Sequence, residues 1–422
     1  MQRDRNIQIG PHAKVSRRMA LKGLAAAAVV GAAATPIGGT RFARAQGATA
    51  PVGDSAQLAD LGLTLTAAQR AAGIAFLERH PSVDTHSHPG RFFLRDLPFQ
   101  SPTTRAFGEP FEEKAIADLQ AGRVSATLIA AVADARLLEP TVTQGLRAGK
   151  EFQAGEAYAD YRAQLAQMKN LLANHHLIAG LGPANVIQAQ HQQETALIFS
   201  VEGGDFIEDK LDRVHAAYRD GVRAITLVHY HINQIGDIQT EPPVHHGLTP
   251  LGKTIVREMN RTGIIIDLAH ATFEVTKDAI QTSNKPVMVS HTNLMTPTAS
   301  HPRLVSEEHA KMVAGAGGII GSWPSGIGLA SFADYIDAIA RLVDAVGVEH
   351  TAIGTDMDAN FKPVLRSYRD WSLIPAALLA RGMHEDEVAK IMGGNFMRVF
   401  NANLGPRQPS AMRASSPNNK EA

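Results

Sequence analysis

The sequence of 422 residues predicts an α/β fold in which eight parallel strands and their helices close into a (β/α)8 TIM barrel. Eight short apolar runs rich in β-branched residues recur along the chain, and helical patterns separate most of them. Most of these runs end in histidine or an acidic residue. Apolar strands followed by amphipathic helices are typical of a parallel sheet covered on both faces. A doubly wound open sheet is the alternative, and the count of eight runs disfavours it.

Residues 66–402 carry the barrel pattern. An alanine-rich helix is predicted over 66–79, before Pro81. The strands are predicted at 82–86, 124–132, 196–201, 222–229, 264–270, 286–291, 318–323 and 351–356. The helices between them are predicted at 210–220, 250–261, 273–282, 307–315 and 331–346. Residues 403–422 are rich in Pro, Ser and Asn, a composition that predicts a disordered tail.

The N-terminus has the pattern of an export signal. Residues 16–22 read SRRMALK, an apolar stretch follows at 23–34, and residues 43–45 read ARA, a small-x-small cleavage pattern. The adjacent arginines indicate the twin-arginine type, and the apolar stretch is too short to span a bilayer. We therefore expect residues 1–45 to be a signal peptide and 46–65 a leader. The mature protein is expected in the periplasm or outside the cell, with no stable membrane span.

The composition limits the chemistry that the chain can perform. It contains 41 Lys+Arg, 41 Asp+Glu, 18 His and no Cys. The balanced charge argues against a nucleic-acid partner. Without Cys, disulfides, thiolate catalysis and zinc ribbons are excluded, so imidazole and carboxylate remain as the strong metal ligands. Residues 1–45 carry eight basic residues and one acidic residue, which leaves the mature chain with 33 basic and 40 acidic residues.

Polar side chains end most of the predicted strands. Carboxyl ends of parallel barrel strands meet at one mouth, so these side chains should face a single cavity. Each alone is a weak signal, because a histidine that closes a strand is more often a hydrogen-bonded barrel residue and an aspartate there can cap a helix. Their recurrence at equivalent positions favours a shared function. The residues are His86, His88, Glu202, His229, His270, His291 and Asp356.

This set of side chains predicts a metal centre. Burying several imidazoles and carboxylates together is costly unless a cation neutralises and coordinates them. Imidazole and carboxylate without thiolate suit zinc, with manganese, cobalt, iron or nickel as alternatives. Five candidate ligands are too many for an ordinary single catalytic zinc, and the Glu202 carboxylate could bridge two ions. Two ions that share a water would generate hydroxide near neutral pH, which is the chemistry of metal-assisted hydrolysis.

Eight short motifs resemble, in the same order, those of the membrane (renal) dipeptidase family of zinc metallopeptidases, in the amidohydrolase-like barrel superfamily. The resemblance covers roughly residues 66–402. The motifs are SVEGG at 200–204, ITLVH at 225–229, GLTPLG at 247–252, IDLAH at 266–270, VSH at 289–291, HPR at 301–303, GTDMD at 354–358 and GNFMRVF at 394–400.

The resemblance implies a (β/α)8 barrel with two zinc ions per chain. The implied substrates are dipeptides, including some with a C-terminal D-residue, and a homodimer is compatible with it. By motif, His86 and His88 would bind the first metal, and Glu202 would bridge both metals. His270 and His291 would bind the second metal.

The resemblance also implies roles around the substrate. His229 would contact the substrate and polarise the scissile carbonyl or stabilise the tetrahedral oxyanion. Arg303 would pair with the substrate carboxylate, a role that suits a bidentate guanidinium. Asp356 would lie near the nucleophilic water and the substrate ammonium and handle protons.

The first-strand motif departs from the family pattern. The family has His-x-Asp, whereas this chain has His86-Ser87-His88, so the centre carries one more unit of positive charge. His-x-His is the usual pattern of the wider amidohydrolase superfamily. His231, two residues after His229, could share its role, although His229 is the favoured residue. Asp84 is expected to orient a ligand imidazole.

Three functions follow as hypotheses. The first is a metal-dependent dipeptidase that uses a hydroxide bridging two zinc ions. The second is a related binuclear barrel hydrolase acting on a lactam, another amide or an ester, suggested by His88. The third is an exported peptide- or metal-binding protein without turnover, which the apparent completeness of the catalytic set disfavours.

Overall fold

The structure is a computed structural model that describes residues 61–141 and 145–404. Its main sheet is a nearly closed barrel of eight parallel strands, which confirms the predicted fold. The barrel order is β1-β2-β6-β7-β8-β9-β10-β11, and β5 pairs with β6 outside this path. The strands are β1 (Val83–Ser87), β2 (Ala126–Val132), β3 (Leu138–Pro140), β4 (Leu146–Ala148), β5 (Leu177–Ala179), β6 (Thr195–Glu202), β7 (Val222–Thr226), β8 (Ile265–Asp267), β9 (Met288–Thr292), β10 (Ile319–Ser322) and β11 (Thr351–Ile353).

The first and last strands approach each other at the mouth of the barrel. Ser87 forms a parallel bridge with Met357, and the amide of His88 donates to the Met357 carbonyl at 2.9 Å. The amide of Asp356 donates to the His86 carbonyl, also at 2.9 Å. These bonds bring the His-x-His motif and the eighth strand end together.

Several strands are shorter than predicted at their carboxyl ends. The predicted runs 222–229, 264–270 and 351–356 extend past the observed ends at Thr226, Asp267 and Ile353. His270 and Asp356 adopt left-handed backbone conformations, with φ of 66° and 53°. This conformation interrupts the regular strand geometry, so both residues lie beyond the strands, although the main chain of Asp356 still bonds to His86.

The described part of the chain also contains thirteen α-helices. The five predicted between strands are present within one or two residues, and Thr or Ser N-caps begin α1, α7, α8, α9 and α10. They are α1 (Ala67–Arg79), α2 (Pro102–Phe107), α3 (Glu112–Ala121), α4 (Glu156–Asn174), α5 (Pro183–Gln192), α6 (Asp212–Arg219), α7 (Pro250–Thr262), α8 (Phe273–Thr282), α9 (Glu307–Gly315), α10 (Phe332–Val346), α11 (Leu373–Ala380), α12 (Glu385–Ala389) and α13 (Asn395–Asn403).

The two ends of the barrel differ in polarity. At the amino-terminal end of the strands, Phe396, Val399 and Phe400 of α13 join a buried cluster with residues such as Val83 and Ala126. This cluster fills the lower barrel with apolar side chains, and the polar strand-end residues therefore lie at the opposite, carboxyl-terminal mouth.

A small antiparallel hairpin, β3–β4, projects from the loop after β2, and the strand prediction did not include it. Thr103 of α2 supports it, because the Thr103 hydroxyl donates to the Leu138 carbonyl at 3.0 Å. The other end contacts the loop after β7, where the amide of Ala148 donates to the Tyr230 carbonyl at 3.2 Å. The hairpin thus reaches across one side of the mouth.

The predicted signal peptide 1–45, most of the leader 46–65 and most of the tail 403–422 lie outside the described residues. At the boundaries, Leu61, Leu63 and Leu65 are buried against the core, and α13 continues to Asn403. None of the helices in the described ranges is long and apolar enough to span a membrane.

Candidate metal centre

The Glu202 carboxylate lies at the centre of the barrel mouth and is almost completely buried. Five histidine Nε2 atoms approach its two oxygens at 3.0 to 3.7 Å. His86, His270 and His291 face Oε1, whereas His88 and His229 face Oε2. The structure therefore brings together the histidines that the sequence predicted to converge, although up to about 200 residues separate them.

Contacts behind the site orient the rings of His88 and His291. His88 Nδ1 lies 3.0 Å from the Ala130 carbonyl, so Nδ1 carries the proton and Nε2 turns toward Glu202. The Ser290 hydroxyl lies 3.0 Å from His291 Nδ1. His270 Nδ1 has no hydrogen-bond partner in the described part of the chain. In each case Nε2 is the nitrogen that points into the centre.

Three groups of side chains have the geometry of metal sites. In each group one ligand atom per residue lies within 4.8 Å of the others, and nearly all members are buried. Imidazole nitrogens with carboxylate oxygens form a donor set that zinc accepts, so the residues fit a metal of this kind. The groups are His86 with Glu202 and His291, His86 with His88 and Asp356, and Glu202 with His229 and His270.

The protonation of the centre suits metal binding. Burial alone would raise the pKa of Glu202, but the charges of His229 and His86 hold the pKa well below its usual range. Burial, reinforced by nearby cations including Arg303, holds the pKa values of His270 and His291 well below normal. A carboxylate and neutral imidazoles are the protonation states that coordinate a metal.

His88 differs from its neighbours in charge. Burial would lower its pKa, but hydrogen bonds with Asp356 and Glu202 raise the pKa to about 10. The Nε2 atom lies 3.4 Å from Asp356 Oδ1 and 3.3 Å from Glu202 Oε2. A metal that binds His88 must therefore displace a proton held between two carboxylates.

Arg303 is fully buried beside the same histidines. Its Nη2 donates to His270 Nε2 at 3.0 Å and to His291 Nε2 at 2.9 Å, and Nη1 donates to Gln239 Oε1 at 2.8 Å. Its guanidinium carbon lies 5.2 Å from the ring centroid of Trp323. The guanidinium and a second metal thus use the same imidazole lone pairs, a relationship that the sequence prediction did not anticipate.

His229 is paired with a carboxylate that the sequence reasoning missed. Its Nδ1 lies 2.6 Å from Asp134 Oδ1, and Asp134 is completely buried just after β2. Burial lowers the pKa of His229, but the charges of Asp134 and Glu202 more than compensate and raise it. The signal that could have identified Asp134 is its position, because it follows a strand end as the other site residues do.

One neighbouring residue, Asp84, acts differently from the sequence expectation, and His231 lies apart from the centre. Asp84 does not contact a ligand ring: it accepts the main-chain amides of His86 and Thr355 at 3.2 and 2.9 Å and the Tyr368 hydroxyl at 2.7 Å. Asp84 therefore fixes the main chain at His86 and Thr355, and burial raises the pKa of Asp84 to about 6. His231 bonds to Asp205 and Glu151 at 2.6 and 2.9 Å, away from Glu202.

The centre opens into a recess of about 40 Å³, which is small for a ligand site. Its ionisable lining comes from the predicted set, while the remaining lining is apolar or aromatic. The recess is lined by His88, Phe93, Phe107, Val132, Leu138, Leu146, Glu202, His229, Tyr230, His270, Arg303, Trp323, Asp356 and Ala359.

Comparison with protein families agrees with the site. The family model described as membrane dipeptidase, peptidase family M19, matches residues 70–409. This range contains all the strand-end residues of the candidate centre.

Curated relatives are similar over part of their length. Dipeptidase tcpJ of Claviceps purpurea (strain 20.1) is 31% identical over 225 residues, which cover 51% of this chain and 53% of that protein. Dipeptidase verJ of Clonostachys rogersoniana is 29% identical over 259 residues, covering 58% and 66%. The chain thus spans about half to two thirds of the length of these relatives.

Solved structures share the fold at low sequence identity. The probable dipeptidase PvdM from Pseudomonas aeruginosa has a TM-score of 0.64 at 18% identity, covering 79% of this chain and 98% of that chain. A metallo peptidase from Rhodobacter sphaeroides, solved with a phosphinate mimic of the dipeptide L-Ala-D-Ala, has a TM-score of 0.63 at 18% identity, covering 77% and 99%. These similarities support the barrel fold.

Proposed function

The chain belongs to the membrane dipeptidase family, peptidase family M19, and on this basis we propose that it is a metal-dependent dipeptidase that hydrolyses the peptide bond of dipeptides, including dipeptides with a C-terminal D-residue. One observation carries the proposal. Five imidazole Nε2 atoms surround the buried Glu202 carboxylate at the mouth of the barrel. Such an arrangement is electrostatically costly without a bound cation.

In this proposal the centre holds two zinc ions. His86 and His88 bind the first ion, His270 and His291 bind the second, and Glu202 bridges them. The bridging role is supported by His88 at Oε2 and by His270 and His291 at Oε1, whereas His86 also lies nearer Oε1. The ions would supply a water deprotonated at neutral pH, held between them as a bridging hydroxide, and would polarise the scissile carbonyl.

The protein supplies binding and proton transfer. Arg303 pairs with the substrate carboxylate, and two buried donors on that side, Arg303 Nε and Trp323 Nε1, have no acceptor within the described residues. Asp356 follows β11, the strand next to that of Trp323, and its carboxylate binds the substrate ammonium. His229 donates from Nε2 to the oxygen that becomes anionic in the tetrahedral transition state. Asp134 stabilises the positive charge of the His229 ring.

The proton balance assigns a second task to Asp356. Addition of water to the carbonyl releases a proton, and departure of the amine requires one. Asp356 takes the first proton and delivers it to the leaving nitrogen, so that one water and one amide yield a carboxylic acid and an amine. Its side chain borders the recess and retains 13% exposure, so it can reach a bound substrate.

The proposal is tested with the purified mature chain loaded with zinc. L,L- and L,D-dipeptides should be hydrolysed and N-acylated dipeptides should not, because acylation removes the ammonium that Asp356 binds. Elemental analysis should give two metals per chain. Turnover of lactams or esters alone would assign the related hydrolase activity instead, and metal binding without any turnover would indicate a binding protein.

We also propose that the protein is exported by the twin-arginine route and acts in the periplasm or outside the cell. The sequence SRRMALK supports this, and the segment lies outside the described residues. Replacing Arg17 and Arg18 with Lys should retain the precursor in the cytoplasm, as read by cell fractionation. A homodimer remains a prediction that sedimentation can test.

A further inference from the structure

The recess has an apolar side and a charged side, and they face each other across the barrel mouth. The apolar side comes from Val132 at the end of β2 and from residues that follow β1 and β2, namely Phe93, Phe107, Leu138 and Leu146. Arg303 and Trp323 follow β9 and β10. In the closed order of eight strands, β2 and β9 are four positions apart, which places them across the barrel.

Contacts hold the apolar side in place. Phe93 lies edge-on to His88 with ring centroids 5.3 Å apart, and Phe107 lies edge-on to Phe93 at 5.6 Å. Leu138 and Val132 are buried, whereas Phe107 and Leu146 are partly exposed. Three ionisable groups of the recess lie on or beside the strands of this side, namely His88, Glu202 and Asp356, and Glu202 pairs with Val132 across β6 and β2. In the proposed function His88 and Glu202 are committed to metal and Asp356 to the substrate ammonium.

We infer that this apolar wall is a specificity pocket for the N-terminal side chain of the dipeptide, and that the enzyme prefers large aliphatic or aromatic residues there. The inference rests on the proposed function. With the substrate carboxylate at Arg303, the far end of a dipeptide lies on the opposite side of the mouth, where the N-terminal residue meets Phe93, Phe107 and Leu146. The ammonium remains at Asp356, next in strand order to the first strand.

The chemistry of the wall sets the direction of selectivity. Transfer of a leucine or phenylalanine side chain from water to this surface lowers the free energy of binding, because apolar area is buried. A lysine or aspartate side chain would be desolvated without an opposite charge on the wall. The effect should therefore appear at the N-terminal position and be weaker at the C-terminal position.

The test measures kcat/KM for Leu-Ala, Phe-Ala, Lys-Ala and Asp-Ala, and for Ala-Leu, Ala-Lys and Ala-Asp. We expect the apolar N-terminal substrates to exceed the charged ones at least tenfold, with a smaller spread in the second series. Equal values across the first series would overturn the inference and leave the dipeptidase function intact. Absence of turnover with every dipeptide would overturn the proposed function and the inference with it.

Substitutions at Leu146 test whether the apolar wall causes the preference for apolar N-terminal residues. Leu146→Asp should lower kcat/KM for Leu-Ala and raise it for Lys-Ala, changing their ratio at least tenfold, while Leu146→Met should retain the wild-type ratio. Leu181→Asp is the matched control, because Leu181 is 46% exposed and does not line the recess. Thermal unfolding and metal content verify that each variant is folded. An unchanged ratio in folded Leu146→Asp would contradict the assignment.

Discussion

The Nδ1–H of His229 donates to Asp134 Oδ1 at 2.6 Å, and Asp134 Oδ2 accepts the main-chain amide of Tyr230 at 3.0 Å. Asp134 thus fixes both the ring of His229 and the loop that carries it. With Nδ1 committed to Asp134, Nε2 is the nitrogen that faces Glu202 at 3.4 Å and the recess. Because Asp134 does not contact the recess, its effect on catalysis must pass through His229.

Asp134→Asn should therefore reduce kcat with little change in KM. The amide preserves the size of the side chain, but it no longer stabilises a positive imidazole and its nitrogen can present a donor to Nδ1. Loss of such an outer partner costs about 10- to 100-fold in activity. Steady-state kinetics with Leu-Ala measures the effect, and Asp134→Glu, which keeps the charge, should recover part of kcat. Equal losses in kcat and metal content would instead indicate a general structural defect.

Glu202→Gln should release metal as well as activity. The amide loses the negative charge that five imidazoles surround, and only one of its two polar atoms can accept or coordinate. Since even outer-partner losses cost up to about 100-fold, we expect kcat below about 1% of wild type. Elemental analysis after dialysis reports the metal. A variant that keeps two metals and normal kcat would exclude the bridging role.

Arg303→Ala should act mainly on substrates that end in a carboxylate. A charge-assisted hydrogen bond contributes about 1.5–3 kcal/mol, so kcat/KM for free dipeptides should fall roughly 10- to 150-fold. The same variant should lose much less on C-terminally amidated analogues. Equal losses on both substrate types would contradict carboxylate recognition.

The second contact of Arg303 provides an independent measurement. Its Nη2 donates to the Nε2 atoms of His270 and His291, the lone pairs that the second metal would use. Arg303→Ala removes this competitor, so zinc titration by calorimetry should show tighter binding of the second ion. Arg91→Ala, a change of another partly buried arginine outside the metal-ligand groups, is the control. Weaker binding of the second ion in Arg303→Ala would show that the guanidinium supports the imidazoles instead of competing.

The barrel and most of the candidate centre could be predicted because both depend on short-range patterns. Each strand is a continuous buried run, and a histidine at its end is placed at the mouth by the topology alone. Asp134 was missed because its strand carries no histidine and its partner is 95 residues away. The hairpin β3–β4 was missed because strands of three residues carry too little periodicity, and their position depends on contacts with Thr103 and Tyr230.

The same limit explains the error at Asp84. Asp84 was expected to orient a ligand imidazole, but alternation along a strand does not reveal which polar groups lie beyond it. Thr355 and Tyr368 supply those groups from the opposite end of the chain. Long-range partners of this kind are set by tertiary packing and have no local sequence signature.

A buried histidine away from the centre should make stability depend on pH. His309 in α9 is 4% exposed, its Nε2 lies 2.9 Å from the Thr276 hydroxyl, and burial lowers its pKa from 6.5 to about 4. In the unfolded chain His309 is protonated below about pH 6.5, whereas in the folded chain it is protonated only below about pH 4. The stability associated with neutral His309 is thus complete above pH 6.5 and is lost as pH falls toward 4, by up to about 3 kcal/mol.

His309→Gln should remove this component. Glutamine can keep a hydrogen bond to Thr276 and does not titrate in this range. Between pH 7 and 4.5 the free energy of unfolding of the variant should therefore fall by about 2–3 kcal/mol less than that of the wild type. Urea unfolding at several pH values gives the difference, and the metal ligands cancel because they are the same in both proteins. His191→Gln, at an exposed position, should follow the wild type. Parallel pH profiles for His309→Gln and wild type would show that His309 is protonated equally in the folded and unfolded chains.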